Sequence, residues 1–335
     1  MKVVITGGGG FLGNRLARAL SSRATLSGVS GSEEPIDTLV LFDRRLSPES
    51  RSGFPSHVHF QEGDVSERDA VFALADRDDL SVFHLASVVS GEGERDFDLA
   101  MRVNLEGTRH VFEACRARKS QPKIVFTSSV AAFGGPAMPP AVGDDTKRCP
   151  ETTYGMTKVI GELFVNDYSR RGFVDARAAR LPTVVVRPGQ PNAAASSFAS
   201  GLFREPLHGQ PCSLPVDRHQ AVPVLGYRAV IDSLLRLHQL PASALERDRV
   251  LTLPSLHITV QEMIDALEAF AARKGITLGP LLDEPDPTIQ CIVAAWPVAT
   301  LAQRSLRLGI LPAPPIDEIL EDFIEDFGAS IQRNS

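Results

Sequence analysis

Residues 2–6 (KVVIT) form a short apolar run with β-branched side chains, and four consecutive glycines, Gly7 to Gly10, follow it directly. A helical pattern then begins at Phe11, Leu12, Leu16, Ala19 and Leu20. Gly7, Gly10 and Gly13 make a GxxGxxG array, and Gly8, Gly10 and Gly13 also satisfy GxGxxG. Glycines at these steps let the backbone turn tightly and approach a pyrophosphate, while the following helix offers unpaired N–H groups and the positive end of its dipole. Strand, glycine turn and helix in that order predict a dinucleotide site at Gly7, Gly10, Phe11, Leu12 and Gly13.

The pattern continues in the same style. Apolar runs recur at 38–42 (TLVLF), 57–61 (HVHFQ), 82–86 (VFHLA) and 123–127 (KIVFT), with helical periodicity over 68–75, 97–117 and 154–170 between and after them. Alternation of this kind predicts an α/β fold, a Rossmann-type doubly wound parallel sheet covered on both faces. The Ser/Gly/Glu-rich stretch 24–35 reads as a surface insertion, and the Pro/Gly-rich stretch 182–215 as a long irregular segment that helps build a substrate pocket. Beyond it come helical patterns at 228–240, 260–274 and 315–332, a smaller C-terminal α/β lobe. The expected division is a nucleotide-binding domain over 1–181 and a mostly substrate-binding lobe over 182–335, with some segments free to return to the first domain. A chain of 335 residues with 43% hydrophobic and 23% charged residues can fill two such cores.

Ligands of open parallel sheets bind beyond the carboxyl ends of the strands. Asp43, closing the second strand, is placed to accept hydrogen bonds from ribose hydroxyls and to repel a 2′-phosphate, which favours NAD; Arg44 and Arg45 leave NADP open, and a turn-forming acid is the plainer alternative. Asp64 and Val65 follow the third strand, and Leu85, Ala86 and Ser87 the fourth. Thr127 and Pro182, ending further strands, complete the cofactor candidates, with strand-end packing as the alternative for any one of them.

Tyr154 and Lys158 are spaced i, i+4 and share a helix face. A free phenol with a pKa of about 10 is ionised in roughly one molecule in a thousand at pH 7, about 4 kcal/mol from use as a base. A lysine ammonium beside it lowers that barrier. YxxxK alone also describes an ordinary solvated helix face. Ser128 and Ser129, at the end of the fifth strand, add a hydroxyl able to hold a substrate oxygen.

TGGGGFLG, HLAS at Ser87, VNLEGT around Asn104, FTSSVAAFGG around Ser129 and YGMTK at Tyr154 occur in this order, and together they resemble the extended short-chain dehydrogenase/reductase family. The resemblance implies that Ser129 polarises the substrate, Tyr154 is the acid/base, and Lys158 binds the nicotinamide ribose and tunes Tyr154. Asn104 would support the cofactor site, with a buried structural asparagine as the alternative. Phe133 stands where many relatives have tyrosine, which leaves the YxxxK tyrosine intact. Longer stretches, 86–109, 165–207 and AAWP, resemble family members that oxidise the 2-hydroxyl of a four-carbon sugar acid with NAD, although Gln190 occupies a position where lysine is expected in those relatives. Similar enzymes form homodimers through 97–117 and 154–170.

An acid substrate also suits the residues themselves. The Arg187 guanidinium can hold a carboxylate by two parallel hydrogen bonds, or it can serve a structural salt bridge. Ser90, Asn192, Ser196 and Ser197 offer partners for hydroxyls, and Trp296 either closes the pocket or belongs to the core. Rival readings are a nucleotide-sugar epimerase or dehydratase, an L-threonine 3-dehydrogenase, and a non-catalytic NAD-binding sensor. GxSxG and a GK[ST] after the glycines are both missing, which disfavours a serine hydrolase and a P-loop nucleotidase. A net charge of −6 gives no field for a polyanion, so nucleic acid is not an expected partner. The four cysteines form no CxxC, and His57 and His59 have no further ligands nearby in the sequence, so no metal is expected. With no signal-peptide pattern and no run of membrane-spanning length, a cytoplasmic location and no membrane partner are expected.

Overall fold

The computed structural model describes residues 1–190 and 194–331, and the chain divides into two compact units. The first comprises Met1–Ala132, Thr152–Arg180 and Ile231–Leu251; the second comprises Phe133–Glu151, Leu181–Val230 and Thr252–Ser335.

The first unit is built on a seven-stranded sheet: β1 (Lys2–Thr6), β2 (Thr38–Asp43), β3 (Val58–Glu62), β4 (Leu80–His84), β5 (Lys123–Ser129), β6 (Asp175–Leu181) and β7 (Val250–Thr252). Its order is β7-β6-β5-β4-β1-β2-β3. β1 pairs in parallel with both β2 and β4, β2 with β3, and β4 with β5. All five residues of β1 are buried, as both faces of a covered parallel sheet require. Val4, Val40, Val82 and Ile124 lead one core cluster, joined by Val111, Phe112 and Cys115 from α2 (Gly107–Arg116) and Val165 from α3 (Thr153–Arg170). The strand order reverses between β1 and β4, which opens a crevice at the carboxyl ends of those two strands.

Three expectations need correction. The helix expected over 97–117 is interrupted: Phe97–Ala100 is α-helical, Met101–Glu106 is a π-turn, and α2 follows. The stretch 24–35, expected as a surface insertion, is an antiparallel hairpin, Thr25–Ser27 with Glu33–Pro35, that is partly buried: Leu26 has no exposure, and Lys123 Nζ donates to the Ser27 carbonyl (3.2 Å) and hydroxyl (2.8 Å). The stretch 182–215 contains an eleven-residue helix, α4 (Ser197–Leu207), which Gly201 and Pro206 disguise in the sequence.

In the second unit, Thr183–Val185 pairs in parallel with Ala221–Gly226, which pairs antiparallel with Leu256–Thr259. Its core joins Phe203 of α4, Phe270 of the helix Val260–Lys274 and Phe323 of the helix Ile316–Phe327. Thr259 and Glu262 form a capping box that starts the second of these helices, and Gly275 ends it in the left-handed conformation.

Candidate active site

The glycine turn lies at the crevice. Gly7 has φ +75°, and a methyl group there would stand 2.7 Å from the Ala86 nitrogen after β4; a methyl at Gly13 would stand 2.1 Å from the Gly7 carbonyl oxygen. No other residue type fits either position. Gly10 caps α1 (Phe11–Ser21) without a side-chain hydrogen bond, and no acid occupies the first turn, so Phe11, Leu12 and Gly13 open the helix at its positive end with no carboxylate there. Asp43 closes the turn from β2, its carboxylate accepting from the Gly9 N–H at 3.0 Å. Residues with these properties fit a dinucleotide: the backbone is bare where phosphates approach, and a carboxylate stands at the end of β2.

The rim beyond β3 and β4 is braced from within. The Asp64 carboxylate accepts from the Ser66 N–H and hydroxyl, both at 2.8 Å, and the Val65 side chain belongs to the core. Leu85 N–H donates to the Thr6 carbonyl at 3.0 Å. Asn104, buried in the π-turn, accepts from Val88 N–H (2.7 Å) and the Ser87 hydroxyl (3.2 Å) and donates to the Val88 carbonyl (3.0 Å). Its amide therefore fixes the Ser87 segment. The Thr108 hydroxyl donates to the Asn104 carbonyl at 2.5 Å.

His84, Thr6 and Thr108 were not among the candidate residues. The His84 imidazole is held between the Thr6 hydroxyl at Nδ1 (2.6 Å) and the Thr108 hydroxyl at Nε2 (2.9 Å). Because the Thr108 proton goes to Asn104, Nε2 carries the imidazole proton and Nδ1 accepts from Thr6. Burial, and secondarily the nearby Lys158 charge, pull the His84 pKa down to about 3, so the ring is neutral. Its position directly before Leu85 was the available signal.

Thr152 accepts from Gly155 N–H at 3.0 Å and starts α3, which sets Tyr154 in its first turn. Tyr154 is half-buried and Lys158 buried on the same face, with Nζ 5.3 Å from the phenol ring centroid and 5.0 Å from that of Phe126. Nζ donates to the Thr127 carbonyl at 2.8 Å, and the Thr127 hydroxyl donates to the His84 carbonyl at 3.2 Å. Burial alone pulls the Lys158 pKa down to about 7. The side chains at the end of β5 alternate. Ser128 turns inward and donates to Glu162 at 2.6 Å, whereas the half-buried Ser129 hydroxyl accepts from Ala131 N–H at 3.1 Å. Ser90, half-buried, begins a short helix.

The second unit holds the remaining candidates. Arg187 donates through Nε to the Val184 carbonyl (3.3 Å) and through Nη2 to the Ser196 hydroxyl (3.2 Å), and its N–H donates to Ser200 (3.1 Å). Those two candidates thus lie together. Pro182 is buried, Asn192 lies outside the described residues, and Trp296 packs against the core cluster. Among the described residues no group of three or more His, Cys, Asp or Glu side chains is placed to hold a metal ion, and no helix is long and apolar enough to cross a membrane.

A doubly wound sheet with a bare glycine turn at its crossover, and a tyrosine one helical turn before a buried lysine, defines a Rossmann-type dinucleotide enzyme. The chain belongs to the NAD dependent epimerase/dehydratase family, whose model matches residues 3–250, and NAD is its cofactor. It is similar to the D-erythronate dehydrogenase of Cupriavidus necator, 44% identical over 98% of this chain and 99% of that one. A second D-erythronate dehydrogenase, from Haemophilus influenzae, is 36% identical over 97% and 99%. A solved structure described as the nucleoside-diphosphate-sugar epimerase from Agrobacterium tumefaciens is 35% identical, with a TM-score of 0.89 over 99% of this chain and 96% of that one.

Proposed function

We propose that this protein is an NAD-dependent dehydrogenase that oxidises the 2-hydroxyl of a four-carbon sugar acid, converting D-erythronate to 2-dehydro-D-erythronate. One observation carries the chemistry: a buried lysine amine lies 5.3 Å from the ring of the half-buried Tyr154, on the same helix face. The two relatives of 44% and 36% identity carry the substrate.

NAD, when bound, supplies the hydride acceptor. Gly7, Gly10, Phe11, Leu12 and Gly13 bind its pyrophosphate, and Asp43 accepts from the adenosine ribose. Asp64 and Val65, Leu85 to Ser87 with Asn104 behind them, Thr127 and Pro182 line the remainder. Ser129 and Tyr154 hold the C2 hydroxyl; the Tyr154 phenolate takes its proton as the C2–H bond breaks, and the Lys158 ammonium stabilises the phenolate before that transfer and holds the nicotinamide ribose. Arg187 with Ser196 grips the substrate carboxylate, and Ser90 and Asn192 bind its hydroxyls. We assign the chain to the cytoplasm, in keeping with four unpaired cysteines, and to a homodimer formed through the helices that carry the exposed Phe97 (55%) and Leu163 (56%).

Purified protein supplied with NAD and D-erythronate is expected to accumulate NADH, followed by absorbance, in preference to other four-carbon acids and L-threonine. Tyr154→Phe is expected to lower kcat about 10²–10⁴-fold with NAD binding retained. The similarity to the Agrobacterium tumefaciens protein favours a second reading, epimerisation of a nucleotide sugar. Conversion of such a sugar with no net NADH establishes it in place of the first, and NAD binding without any turnover refutes both.

A further inference from the structure

α3 carries three residues at successive four-residue steps on one face: Tyr154, Lys158 and Glu162. A carboxylate one helical turn from a lysine is its natural counter-ion. Here the pairing is diverted. The buried Glu162 carboxylate accepts from Arg180 of β6 at Nε (2.8 Å) and Nη2 (2.9 Å), and from Ser128 at 2.6 Å, while Lys158 Nζ turns to the Thr127 carbonyl. Glu162 and Arg180 have almost no solvent exposure, so neither charge is screened by water.

We infer that Arg180 is a positioning residue for proton transfer: by neutralising the Glu162 carboxylate and holding it against Ser128, it keeps an unpaired negative charge away from the Tyr154–Lys158 face and so favours the Tyr154 phenolate. This rests on the Tyr154–Lys158 chemistry proposed above, though not on the identity of the substrate. The groups around Lys158 agree with it. Tyr154 and Glu162 stand on its own helix, the neutral His84 on β4, and Arg180 on β6 beyond Glu162. The acids of neighbouring helices are engaged elsewhere: Glu94 accepts from Thr153 N–H, Glu106 from Arg109, and Glu113 from Arg116 and Tyr168.

The test needs neither substrate nor cofactor. The chain has three tyrosines. Tyr168 is pushed up to about 12, by burial and then by its bond to Glu113, and the Tyr227 hydroxyl is held by the Asp322 carbonyl and the Asp326 carboxylate. Subtracting Tyr154→Phe therefore isolates the Tyr154 phenolate band in an ultraviolet pH titration. Arg180→Met, which leaves the Glu162 charge unpaired, is expected to raise the Tyr154 midpoint by about one pH unit or more. Arg180→Lys, which keeps a cation on Glu162, and the double variant Arg180→Met with Glu162→Gln are both expected to bring it back to the parent value. The low-pH limb of kcat/KM for whichever substrate turns over is expected to move in the same direction. An unmoved midpoint in Arg180→Met overturns the proposal and leaves the pair a purely structural one. If Arg180→Met does not fold, Glu162→Gln decides: a midpoint at or below the parent's supports the proposal, and a raised one overturns it. Failure of D-erythronate oxidation leaves this titration intact, so the two readings fail separately.

Discussion

Lys158 works against its surroundings. The ordinary lysine pKa lies near 10.5, and burial brings this one down to about 7. An unfolded chain therefore binds more protons than the folded one between about pH 7 and 10, so stability rises with pH across that window and carries the full penalty at neutral pH and below. Lys158→Met, which keeps most of the volume without the charge, is expected to stabilise the cofactor-free protein at pH 7 by about 1–3 kcal/mol, after loss of the bond to Thr127 is counted. It is expected also to remove nearly all turnover. Thermal melts at pH 7 and pH 10 check this: the gain should shrink at the higher pH, and a destabilised variant at both would refute it. The i, i+4 spacing of Tyr154 and Lys158 made their shared face legible in the sequence. Glu162 stands at the same spacing, but what neutralises it is Arg180, eighteen residues further along and on a strand, and no local pattern marks such a partner.

The elements around the crevice divide by the range of the interactions that set them. The glycine turn was readable because its requirement is local: a positive φ at Gly7 and no room for a side chain at Gly13. β1, β2 and β5 were readable because their central residues are buried on both faces and form unbroken apolar runs. The π-turn at Met101–Glu106 was hidden, since 97–117 has ordinary helical periodicity and the widening is fixed by bonds to Val88, sixteen residues away. Helix α4 was masked by Gly201 and Pro206, whose local preference is overridden by packing of Phe198, Leu202 and Phe203 into the second core. The π-turn carries a prediction. Asn104→Leu leaves the buried Val88 N–H and carbonyl without their partner and frees Ser87, at a cost of about 2–4 kcal/mol. Because Ala86, beside Ser87, presses on Gly7, NAD affinity is expected to fall about tenfold as well. Urea unfolding and calorimetric titration with NAD separate the two effects; unchanged affinity in a destabilised variant would limit Asn104 to bracing the loop.

At the scale of the whole chain, the compact units are each assembled from three segments, and what draws 231–251 into the first unit is a set of long-range bonds. Arg177 on β6 donates to the carbonyls of Leu237 (3.1 Å), His238 (2.8 Å) and Leu240 (2.8 Å), and His238 Nε2 bonds to the Ser81 hydroxyl at 3.0 Å. This arrangement buries a second imidazole. Burial, and then the charges of Arg177 and Lys123, hold His238 well below its ordinary pKa, as burial and Lys158 do for His84. Both rings are neutral in the fold and would gain protons on unfolding, so the stability they permit is complete above pH 6.5 and is lost as pH falls from there, for His84 toward about 3. The Lys158 window begins near where this one ends and has the same sign. Stability is therefore expected to climb from pH 4 to the alkaline side of neutrality rather than to peak near the pI of about 5.8. Carboxylates paired in the fold contribute to the acid limb in most proteins, so the histidine share has to be isolated by substitution. Urea unfolding of the parent between pH 4 and 7 is expected to show a slope near pH 5.5 that His84→Gln reduces by close to one proton's worth, about 1.4 kcal/mol per pH unit. A slope unchanged in that variant would mean that His84 is already charged in the fold, and that the neutral Thr6–His84–Thr108 bridge beneath the glycine turn is wrongly assigned.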